Sequence, residues 1–432
     1  MYSANYNDSV SEATRAWAEI DLGALKHNFE YAKKRSDRRV ICVLKADAYG
    51  HGAVKCGQFL QRNGAEMFAV AALSEAVELR ENGITIPILI LGYTAPEYAE
   101  TLSRLNIEQT VVDEAHAAAL NRAACSLGVK VMVHIALDTG MSRIGIFAQS
   151  NHSEAVEAAE RIYHMKNLDT VGMYTHFAVA DDPSQKAFTD FQYNNYLAVF
   201  NGLAARGIRI KNCHVSNSAA ILTDVKHFDS VREGIMLYGM YPDSEPVENG
   251  PLKPVMTLKA RVSQVRNLPK GATVSYGRTY RAEEGITSAV IPAGYADGYP
   301  RRLSNMGKVF INGKAYDQIG RICMDVCMAD VTGGDVRQGD EAILFGRGGM
   351  SIEDVAQIVG TINYELTCLV TERANRVYVN NWRIINAEID IQVKKCLTRE
   401  YKCCNIASLK TVAPECGQGF YWCVKLHLPS KT

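Results

Sequence analysis

The residue best suited to covalent chemistry is Lys45, which directly follows an apolar run. The run is Val40-Ile41-Cys42-Val43-Leu44, and its composition is typical of a buried strand. A lysine at the end of such a strand is easily desolvated, which lowers its pKa and suits it to Schiff-base formation. For a single lysine the ordinary alternative is a side chain that reaches from the strand end into solvent. Other residues must decide between these two interpretations.

Polar residues also follow or end several other apolar runs. If the runs are parallel strands of one sheet, these polar residues meet on the face where the strands end. A purely structural role does not readily account for five strands that place polar residues on one face. The residues are Asp138, Thr139, Gly140, Arg143, His176, His214, Ser216, Asn217, Ser218, Arg232 and Gly234.

Eight apolar runs between residues 38 and 241 alternate with amphipathic segments, whose apolar residues recur every three or four positions. Eight strand–helix units predict an α/β fold, a (β/α)8 barrel, and an open doubly wound sheet is the competing arrangement. In a barrel, Lys45 would stand at the end of the strands that carries active sites. The predicted strands are Val40–Leu44, Met67–Ala72, Ile86–Leu91, Glu108–Val112, Lys130–Leu137, Thr170–His176, Asn212–Val215 and Val231–Gly239.

Two loops late in this region favour the binding of a phosphate group. Ser216–Ala220 follows the seventh predicted strand and opens a helix, and Gly234-Ile235 lies just after Arg232. Hydroxyls and free N–H groups at the start of a helix bind anions, and barrels often bind phosphate after strands seven and eight. A serine or asparagine at a helix start is also a common cap, so these loops alone do not distinguish a phosphate site from an ordinary helix start.

The pattern changes after Tyr241-Pro242. Residues 243–383 alternate β-like runs with turns such as Asn312-Gly313, which predicts a mostly-β second domain. Its one expected helix, near residues 351–360, begins with a capping-box pattern at Ser351 and Asp354. We expect the barrel at residues 24–242 and pairing of residues 1–23 with the second domain. Residues 384–432 form a cysteine-rich tail of unassigned role.

The composition excludes several classes of protein. The 432 residues carry 47 basic and 47 acidic side chains, so the bulk charge does not indicate nucleic acid or a membrane surface. No apolar run approaches the roughly 20 residues of a transmembrane helix. The N-terminus lacks the regions of a signal peptide, which predicts a cytoplasmic location. The adjacent Cys403-Cys404 lacks the spacing of a zinc site, so no metal is expected.

Nine motifs in order make the chain similar to alanine racemase, a pyridoxal-phosphate enzyme of fold type III with an N-terminal barrel and a C-terminal β domain. The resemblance runs from about Arg15 to Trp382. The motifs are Val43–Gly52, Asp138–Gly145, Tyr174–Ala178, Asn217–Ala219, Arg232–Ile235, Val274–Gly277, Gly294–Gly298, Gly320–Asp325 and Ile362–Glu365.

The resemblance implies a role for each matching residue. Lys45 holds pyridoxal 5'-phosphate as a Schiff base and is one catalytic base, and Tyr276 is the other base, supplied by the partner subunit of a homodimer. His176 and Arg232 connect to Tyr276, and Arg232 faces the pyridine nitrogen. The matching cofactor-binding positions are Lys45, Tyr49, His176, Asn217, Ser218, Arg232, Gly234, Ile235 and Tyr364. The matching substrate-binding positions are Arg143, Met324, Asp325 and, in the substrate corridor, Tyr295.

The implied reaction is the interconversion of L-alanine and D-alanine, which supplies D-alanine for peptidoglycan. Racemisation of another amino acid, such as serine or lysine, is the alternative on the same scaffold. Two further alternatives are a pyridoxal-phosphate carrier with a lone barrel and a fold-related decarboxylase. The second domain and the pairing of Lys45 with Tyr276 disfavour both.

The chain departs from the family pattern at two places. Ala136 occupies the position of a carbamylated lysine that often orients the arginine matching Arg143. A bound chloride or another side chain is our hypothesis for its replacement. The second departure is at residues 366–376, where the family usually has a proline between two arginines and this chain has Arg373-Ala374-Asn375-Arg376. That difference puts the local backbone in question rather than the chemistry.

Overall fold

The computed structural model describes residues 15–223, 225–245, 250–380 and 383–384. The predictions for residues 1–14 and for the cysteine-rich tail lie outside these residues. No helix within the described ranges is both long and apolar enough to cross a membrane.

Eight parallel strands close into a barrel, which confirms the predicted fold class. Neighbouring strands pair in the order β2-β3-β4-β5-β6-β8-β9-β10, and β10 pairs with β2 to complete the ring. This closure excludes the open doubly wound sheet. The strands are β2 Arg39–Val43, β3 Met67–Val70, β4 Ile88–Ile90, β5 Ile107–Val111, β6 Val131–Asp138, β8 Leu168–Tyr174, β9 Asn212–His214 and β10 Ser230–Glu233. A short strand, β7 Ile146–Phe147, pairs with the end of β6.

Helices alternate with these strands in the chain. Their buried faces carry the apolar residues that the three- and four-residue spacing predicted, such as Ala155, Ala159 and Ile162 of α7. The helices of this region are α1 Leu22–Ser36, α2 Lys45–Gly50, α3 Ala53–Arg62, α4 Leu73–Glu81, α5 Ala99–Arg104, α6 Glu114–Leu127, α7 His152–Tyr163, α8 Lys186–Ala205 and α9 Ser218–Leu222.

Several predicted strand ends differ from the structure, and two of them lie beside the polar residues described above. The eighth strand stops at Glu233, and Ile235–Tyr238 forms a buried 3-10 turn instead of continuing the strand. This prediction was wrong because an apolar run indicates that a segment is buried but does not distinguish a strand from a buried turn. The sixth strand ends at Tyr174, so His176 lies two residues beyond it rather than at its last position.

The second domain is mostly β, as predicted. One sheet has the order β17-β16-β19-β11-β1-β20-β21, so the first strand of the chain lies between two strands of this domain. The strands are β1 Ala16–Asp21, β11 Met256–Arg261, β12 Gln264–Leu268, β13 Thr273–Val274, β14 Tyr280–Arg281, β15 Ile286–Ile291, β16 Lys308–Ile311, β17 Lys314–Asp317, β18 Cys327–Asp330, β19 Glu341–Phe345, β20 Asn375–Asn380 and β21 Arg383–Ile384.

Local sequence signals set the turns and caps of this domain. Asn312 and Gly313 both have positive φ and join β16 to β17 in a tight hairpin. The Ser351 hydroxyl accepts a hydrogen bond from the Asp354 N–H at 3.0 Å, which confirms the predicted capping box at helix α10, Ile352–Val359. A second short helix, α11 Asn363–Cys368, was not predicted.

Candidate active site

The turn after strand β2 has an unusual backbone. Ala46–Tyr49 have φ between 52° and 55° and ψ between 39° and 52°, so α2 is a left-handed turn built from four non-glycine residues. Each such residue costs roughly 1–2 kcal/mol relative to the right-handed form. Strain of this kind persists only where the surroundings enforce it, and it is concentrated at functional sites. The turn brings the Lys45 Nζ to 5.9 Å from the centroid of the Tyr49 ring.

Two carboxylates hold this turn. Glu75 accepts hydrogen bonds from the backbone N–H groups of Ala46, Ala71 and Ala72 at 2.6, 2.7 and 3.0 Å. Asp47 accepts a hydrogen bond from the Ala53 N–H at 2.6 Å. Carboxylates that accept from several N–H groups make strong, charge-assisted bonds. Glu75 therefore offsets part of the strain in α2.

We expect Glu75→Gln to lower the free energy of unfolding by about 1–3 kcal/mol. The glutamine side chain has one oxygen where the Glu75 carboxylate has two, so at least one of the three backbone N–H groups would face the side-chain NH2 group, which is itself a donor. Urea denaturation followed by circular dichroism measures the loss. Glu78→Gln, at an exposed position of the same helix α4, is the matched control and should change stability by less than about 0.5 kcal/mol. Equal stability of the two variants would contradict the role of Glu75.

Lys45 lies where several charges act on its ammonium group. Burial lowers the Lys45 pKa, the positive charge of Arg143 lowers it further, and the carboxylate of Glu75 opposes both. A lowered pKa raises the fraction of free amine, which is the form that attacks a carbonyl. The structure therefore places at the end of β2 a lysine with the chemistry that the sequence predicts.

Arg232 and His176 lie on the same face of the barrel. The Arg232 side chain is buried, and its Nη2 is 3.5 Å from the His176 Nδ1. The guanidinium also donates to the His214 Nδ1 at 2.6 Å and to the backbone oxygens of Thr175, His214 and Val215 at 2.7, 2.9 and 3.0 Å. Burial lowers the His176 pKa well below its usual value, and the positive charge of Arg232 acts in the same direction. The imidazole of His176 is therefore neutral at physiological pH.

A small cradle of hydrogen-bonding groups lies beside Lys45. The Ser218 hydroxyl accepts hydrogen bonds from the N–H groups of Gly234 at 2.9 Å and Met236 at 3.4 Å. A Cβ on Gly234 would stand 2.9 Å from the Tyr49 hydroxyl and 3.6 Å from the Ser218 hydroxyl, so a side chain at Gly234 would fill the cradle. Hydroxyls and N–H groups of this kind bind phosphate.

Asn217 and Ile235 flank the cradle. The Asn217 side chain caps α9 by accepting from the Ala220 N–H at 3.0 Å, and Ile235 begins the 3-10 turn after β10. Helix α9 has only five residues, so the cradle depends on individual donor groups rather than on the dipole of a long helix.

Helix α11 brings Tyr364 of the same chain to this face. The ring centroids of Tyr364 and Tyr49 are 6.2 Å apart. The backbone of α11 packs closely on the turn, because a Cβ on Gly50 would stand 2.2 Å from the Thr367 oxygen. Tyr364 therefore belongs to the group formed by Lys45 and Tyr49.

Arg143 is exposed, and it acts electrostatically on both Lys45 and His176. Ala136 lies buried in β6, where its methyl group offers no hydrogen bond to an arginine. At the second departure from the family pattern, an arginine side chain ties the backbone to neighbouring segments. Arg376 donates to backbone oxygens, including that of Gly50 at 3.0 and 2.9 Å and that of Val370 at 2.7 Å, and thereby holds the turn that has no proline.

Tyr276, Tyr295, Met324 and Asp325 form a second group on the β domain. Tyr276 and Met324 are 71% and 52% exposed, so both side chains are accessible to another molecule. Backbone contacts join their loops: the Ser275 hydroxyl donates to the Arg321 oxygen at 2.6 Å, and the Ala296 N–H donates to the Met324 oxygen at 3.0 Å. No hydrogen bond or ring contact within the described part of the chain joins Tyr276 to Lys45.

A buried carboxylate anchors this second group. Asp297, the last residue of the 3-10 turn Tyr295–Asp297, accepts two hydrogen bonds from the Arg15 guanidinium at 2.6 and 2.9 Å. The Arg373 Nε lies 3.5 Å from the same carboxylate, and the Arg373 Nη2 donates to Asp325 at 2.7 Å. These ion pairs fix the positions of Tyr295 and Asp325 relative to Arg15, which directly precedes strand β1.

Two polar side chains inside the barrel, Glu108 and His134, were not singled out in the sequence, and His214 was named there only as a polar residue at a strand end. All three are buried, and His214 contacts Arg232. Polar residues within otherwise apolar barrel strands are the sequence signal that could have found them. Their connection to one another depends on neighbours from three strands and is visible only in the structure.

Comparisons with known proteins agree with this architecture. The family described as Alanine racemase, N-terminal domain, matches residues 20–242, and the family described as Alanine racemase, C-terminal domain, matches residues 255–378. The alanine racemase of Clostridium tetani is 43% identical over 378 residues, which cover 85% of this chain and 96% of that protein.

Two solved structures illustrate the range of similar proteins. Alanine racemase from Clostridium difficile 630 superposes with a TM-score of 0.80 and 40% identity, over 86% of this chain and 97% of that one. Histidine racemase from Leuconostoc mesenteroides has a TM-score of 0.76 and 28% identity, over 87% of this chain and all of the other. The same fold therefore serves amino acids of different size.

Proposed function

The chain belongs to the alanine racemase family, and from this premise we propose that it interconverts L-alanine and D-alanine by a two-base reaction that depends on pyridoxal 5'-phosphate. The single observation that carries the proposal furthest is the desolvated Lys45 beside the cradle of Tyr49, Ser218 and Gly234. A lysine for a Schiff base next to donors for a phosphate is the combination that this cofactor requires.

The residues present fit the cofactor. The cradle that a Cβ on Gly234 would fill supplies the hydroxyls of Tyr49 and Ser218 as donors for its phosphate. Arg232 keeps its Nε–H free of hydrogen bonds to the described residues, so this group can donate to the pyridine nitrogen. The other residues that would surround the cofactor are Asn217, Ile235, His176 and Tyr364. Pyridoxal phosphate, when bound, withdraws electrons from the substrate Cα and makes its proton acidic.

The residues of this chain then move the proton. Lys45 Nζ takes or returns the Cα proton on one face of the substrate, and the Tyr276 hydroxyl does so on the opposite face. Removal from one face and return on the other inverts the centre, which a single base on one face does not achieve. Arg143, with Met324 and Asp325, binds and orients the substrate, and its guanidinium suits the substrate carboxylate. Tyr295 lines the corridor.

The site is shared between two subunits in our proposal. Lys45 and the cradle lie on the barrel, whereas Tyr276, Tyr295 and Met324 are exposed on the β domain. A head-to-tail homodimer places the β-domain group of one subunit over the barrel of its partner. Exposure of a tyrosine and a methionine together supports an interface at this surface. The D-alanine product would supply peptidoglycan, and the cytoplasmic location stays a prediction.

An assay with single amino acids tests the proposal. The purified protein, loaded with pyridoxal phosphate, is incubated with each L-amino acid, and the D-isomer is quantified by chiral chromatography. We expect L-alanine to be racemised with the highest kcat/KM. A higher kcat/KM for serine, lysine or histidine would move the proposal to that substrate, and the absence of any D-isomer would refute it.

A further inference from the structure

A chain of four buried side chains crosses the interior of the barrel. The Arg232 Nη1 is 2.6 Å from the His214 Nδ1, and the His214 Nε2 is 2.9 Å from the His134 Nδ1. The His134 Nε2 is in turn 2.6 Å from the Glu108 Oε2. The four residues come from β10, β9, β6 and β5. We call Glu108, His134 and His214 the barrel relay.

Only one arrangement of protons satisfies all three contacts. A guanidinium donates and does not accept, so the Nδ1 of His214 must carry a lone pair and its Nε2 the hydrogen. That Nε2–H donates to the Nδ1 of His134, which leaves the hydrogen of His134 on Nε2. The Nε2–H of His134 then donates to the Glu108 carboxylate. Both imidazoles are therefore neutral, with a positive charge at one end of the chain and a negative charge at the other.

A charged histidine is incompatible with this geometry. If His134 carried two protons, its Nδ1–H would donate to the Nε2 of His214. The hydrogen of His214 would then move to Nδ1 and face the Arg232 donor at 2.6 Å. Burial and the charge of Arg232 also lower the His214 pKa well below its usual value, which is consistent with the neutral form.

The fold makes room for the relay at a specific position. Gly172 of β8 lies opposite His134 in the strand register, and a Cβ there would stand 2.1 Å from the His134 Nδ1. Tyr174, two residues on, stacks on the His214 ring with a centroid distance of 5.0 Å and an interplanar angle of 7°. The same ring lies 5.2 Å from the Arg232 Cζ. Packing therefore fixes the orientation of both imidazole rings.

The counter-charge of Arg232 in the barrel relay is a carboxylate that does not contact its guanidinium. Among the described residues no carboxylate lies within 4.0 Å of its guanidinium, although the side chain is buried. A carboxylate in direct contact would take up the donors that face the cofactor. The relay instead places the negative charge of Glu108 two imidazoles away and uses only one N–H of Arg232. The Nε–H remains available for the pyridine nitrogen.

We propose that Glu108, His134 and His214 are positioning residues that fix the orientation and the charge of Arg232 through a single tautomer of each histidine. This inference rests on the proposed function only for its effect on catalysis. The tautomers themselves follow from the contacts within this chain. Two readouts therefore separate a failure of the relay from a failure of the racemase proposal.

The first readout is solid-state 15N NMR of the histidine-labelled holoenzyme. Signals are assigned by difference against His134→Gln and His214→Gln. We expect both residues to be neutral with the hydrogen on Nε2. An imidazolium, or a hydrogen on Nδ1, at either residue would overturn the relay even if the wild-type enzyme racemises alanine. If the NMR spectra showed the expected tautomers but the protein did not racemise alanine, the relay would be supported and only the proposed function would be refuted.

The second readout is the kinetics of Glu108→Gln. The amide oxygen still accepts from the His134 Nε2–H, so the tautomers should persist while the negative charge is lost. We expect kcat to fall roughly tenfold to a hundredfold, the effect typical of outer hydrogen-bond partners, with little change in KM for L-alanine. If this variant kept the wild-type kcat, or if its kcat/KM fell by the same factor only because KM rose, the result would contradict the proposal.

A matched control comes from strand β10, which also carries Arg232. Glu233 on β10 is fully buried, and both of its carboxylate oxygens lack a hydrogen-bond partner among the described residues. Burial raises the Glu233 pKa well above its usual value, so the group is neutral and the amide is a close mimic. Glu233→Gln should keep the wild-type kcat. A loss equal to that of Glu108→Gln would show a general effect of buried substitutions and overturn the specific role of the relay.

Discussion

Replacing Lys45 with alanine is expected to abolish racemisation and the visible absorption band of the bound cofactor. The substitution removes the amine that holds the cofactor covalently and the base on one face of the substrate. A general base alone contributes about 10²–10⁴-fold, so we expect the rate to fall by more than about 10³-fold. Because Lys45 is desolvated and its pKa is lowered in the folded protein, its removal should not destabilise the fold.

The measurement combines absorption spectra with a chiral assay of purified protein. Lys55→Ala, at an exposed position of α3, is the matched control and should retain both the band and the activity. Retention of the wild-type spectrum by Lys45→Ala would assign the covalent link to another lysine. Retention of activity would contradict the role of Lys45 as a base.

Replacing Tyr276 with phenylalanine is expected to leave the cofactor band in place while racemisation is lost. Only the hydroxyl is removed from a side chain that is 71% exposed, so the free energy of unfolding should change by less than about 0.5 kcal/mol. We expect the rate to fall by about 10²–10⁴-fold, the contribution of one acid–base group. The loss should be greatest in the direction that starts from L-alanine, where Tyr276 removes the proton.

Initial rates from L-alanine and D-alanine, measured separately, test this expectation. Tyr93→Phe is the matched control, because Tyr93 is also largely exposed but follows β4 on the barrel. Its ring lies tilted against His116, with a centroid distance of 4.7 Å, and this contact does not use the hydroxyl. Full activity of Tyr276→Phe in both directions would refute the two-base reaction. An equal loss in Tyr93→Phe would point to a general effect of tyrosine substitution.

Local patterns in the sequence were enough to predict the barrel and the second domain. The apolar runs of β2 and β6 are buried on both sides, and such runs are recognisable because each strand of a parallel barrel is covered by helices. The capping box at Ser351 is likewise a signal within four residues. The run Ile235–Tyr238 misled the strand prediction, because burial inside a turn gives the same apolar pattern.

Features that depend on distant residues could not be predicted. The left-handed turn after Lys45 forms although Ala46–Tyr49 have no local preference for it, because Glu75 and Arg376 hold it from two other elements. The barrel relay and Arg232 together link residues up to 124 positions apart in the sequence, from Glu108 to Arg232. Their contacts arise only from the register of the barrel strands. The roles of Lys45 and Tyr276 came from the family resemblance, whereas the structure shows that they occupy different domains.

A hybrid dimer tests whether two subunits share each active site. Lys45→Ala and Tyr276→Phe subunits are co-expressed with different affinity tags, and the doubly tagged dimer is isolated. If each site combines Lys45 of one subunit with Tyr276 of its partner, the hybrid has one site with both residues intact, and about half of the wild-type activity per dimer should return. If both residues serve the same subunit, neither site is intact. Activity that stays at the level of the two parent variants would contradict the account.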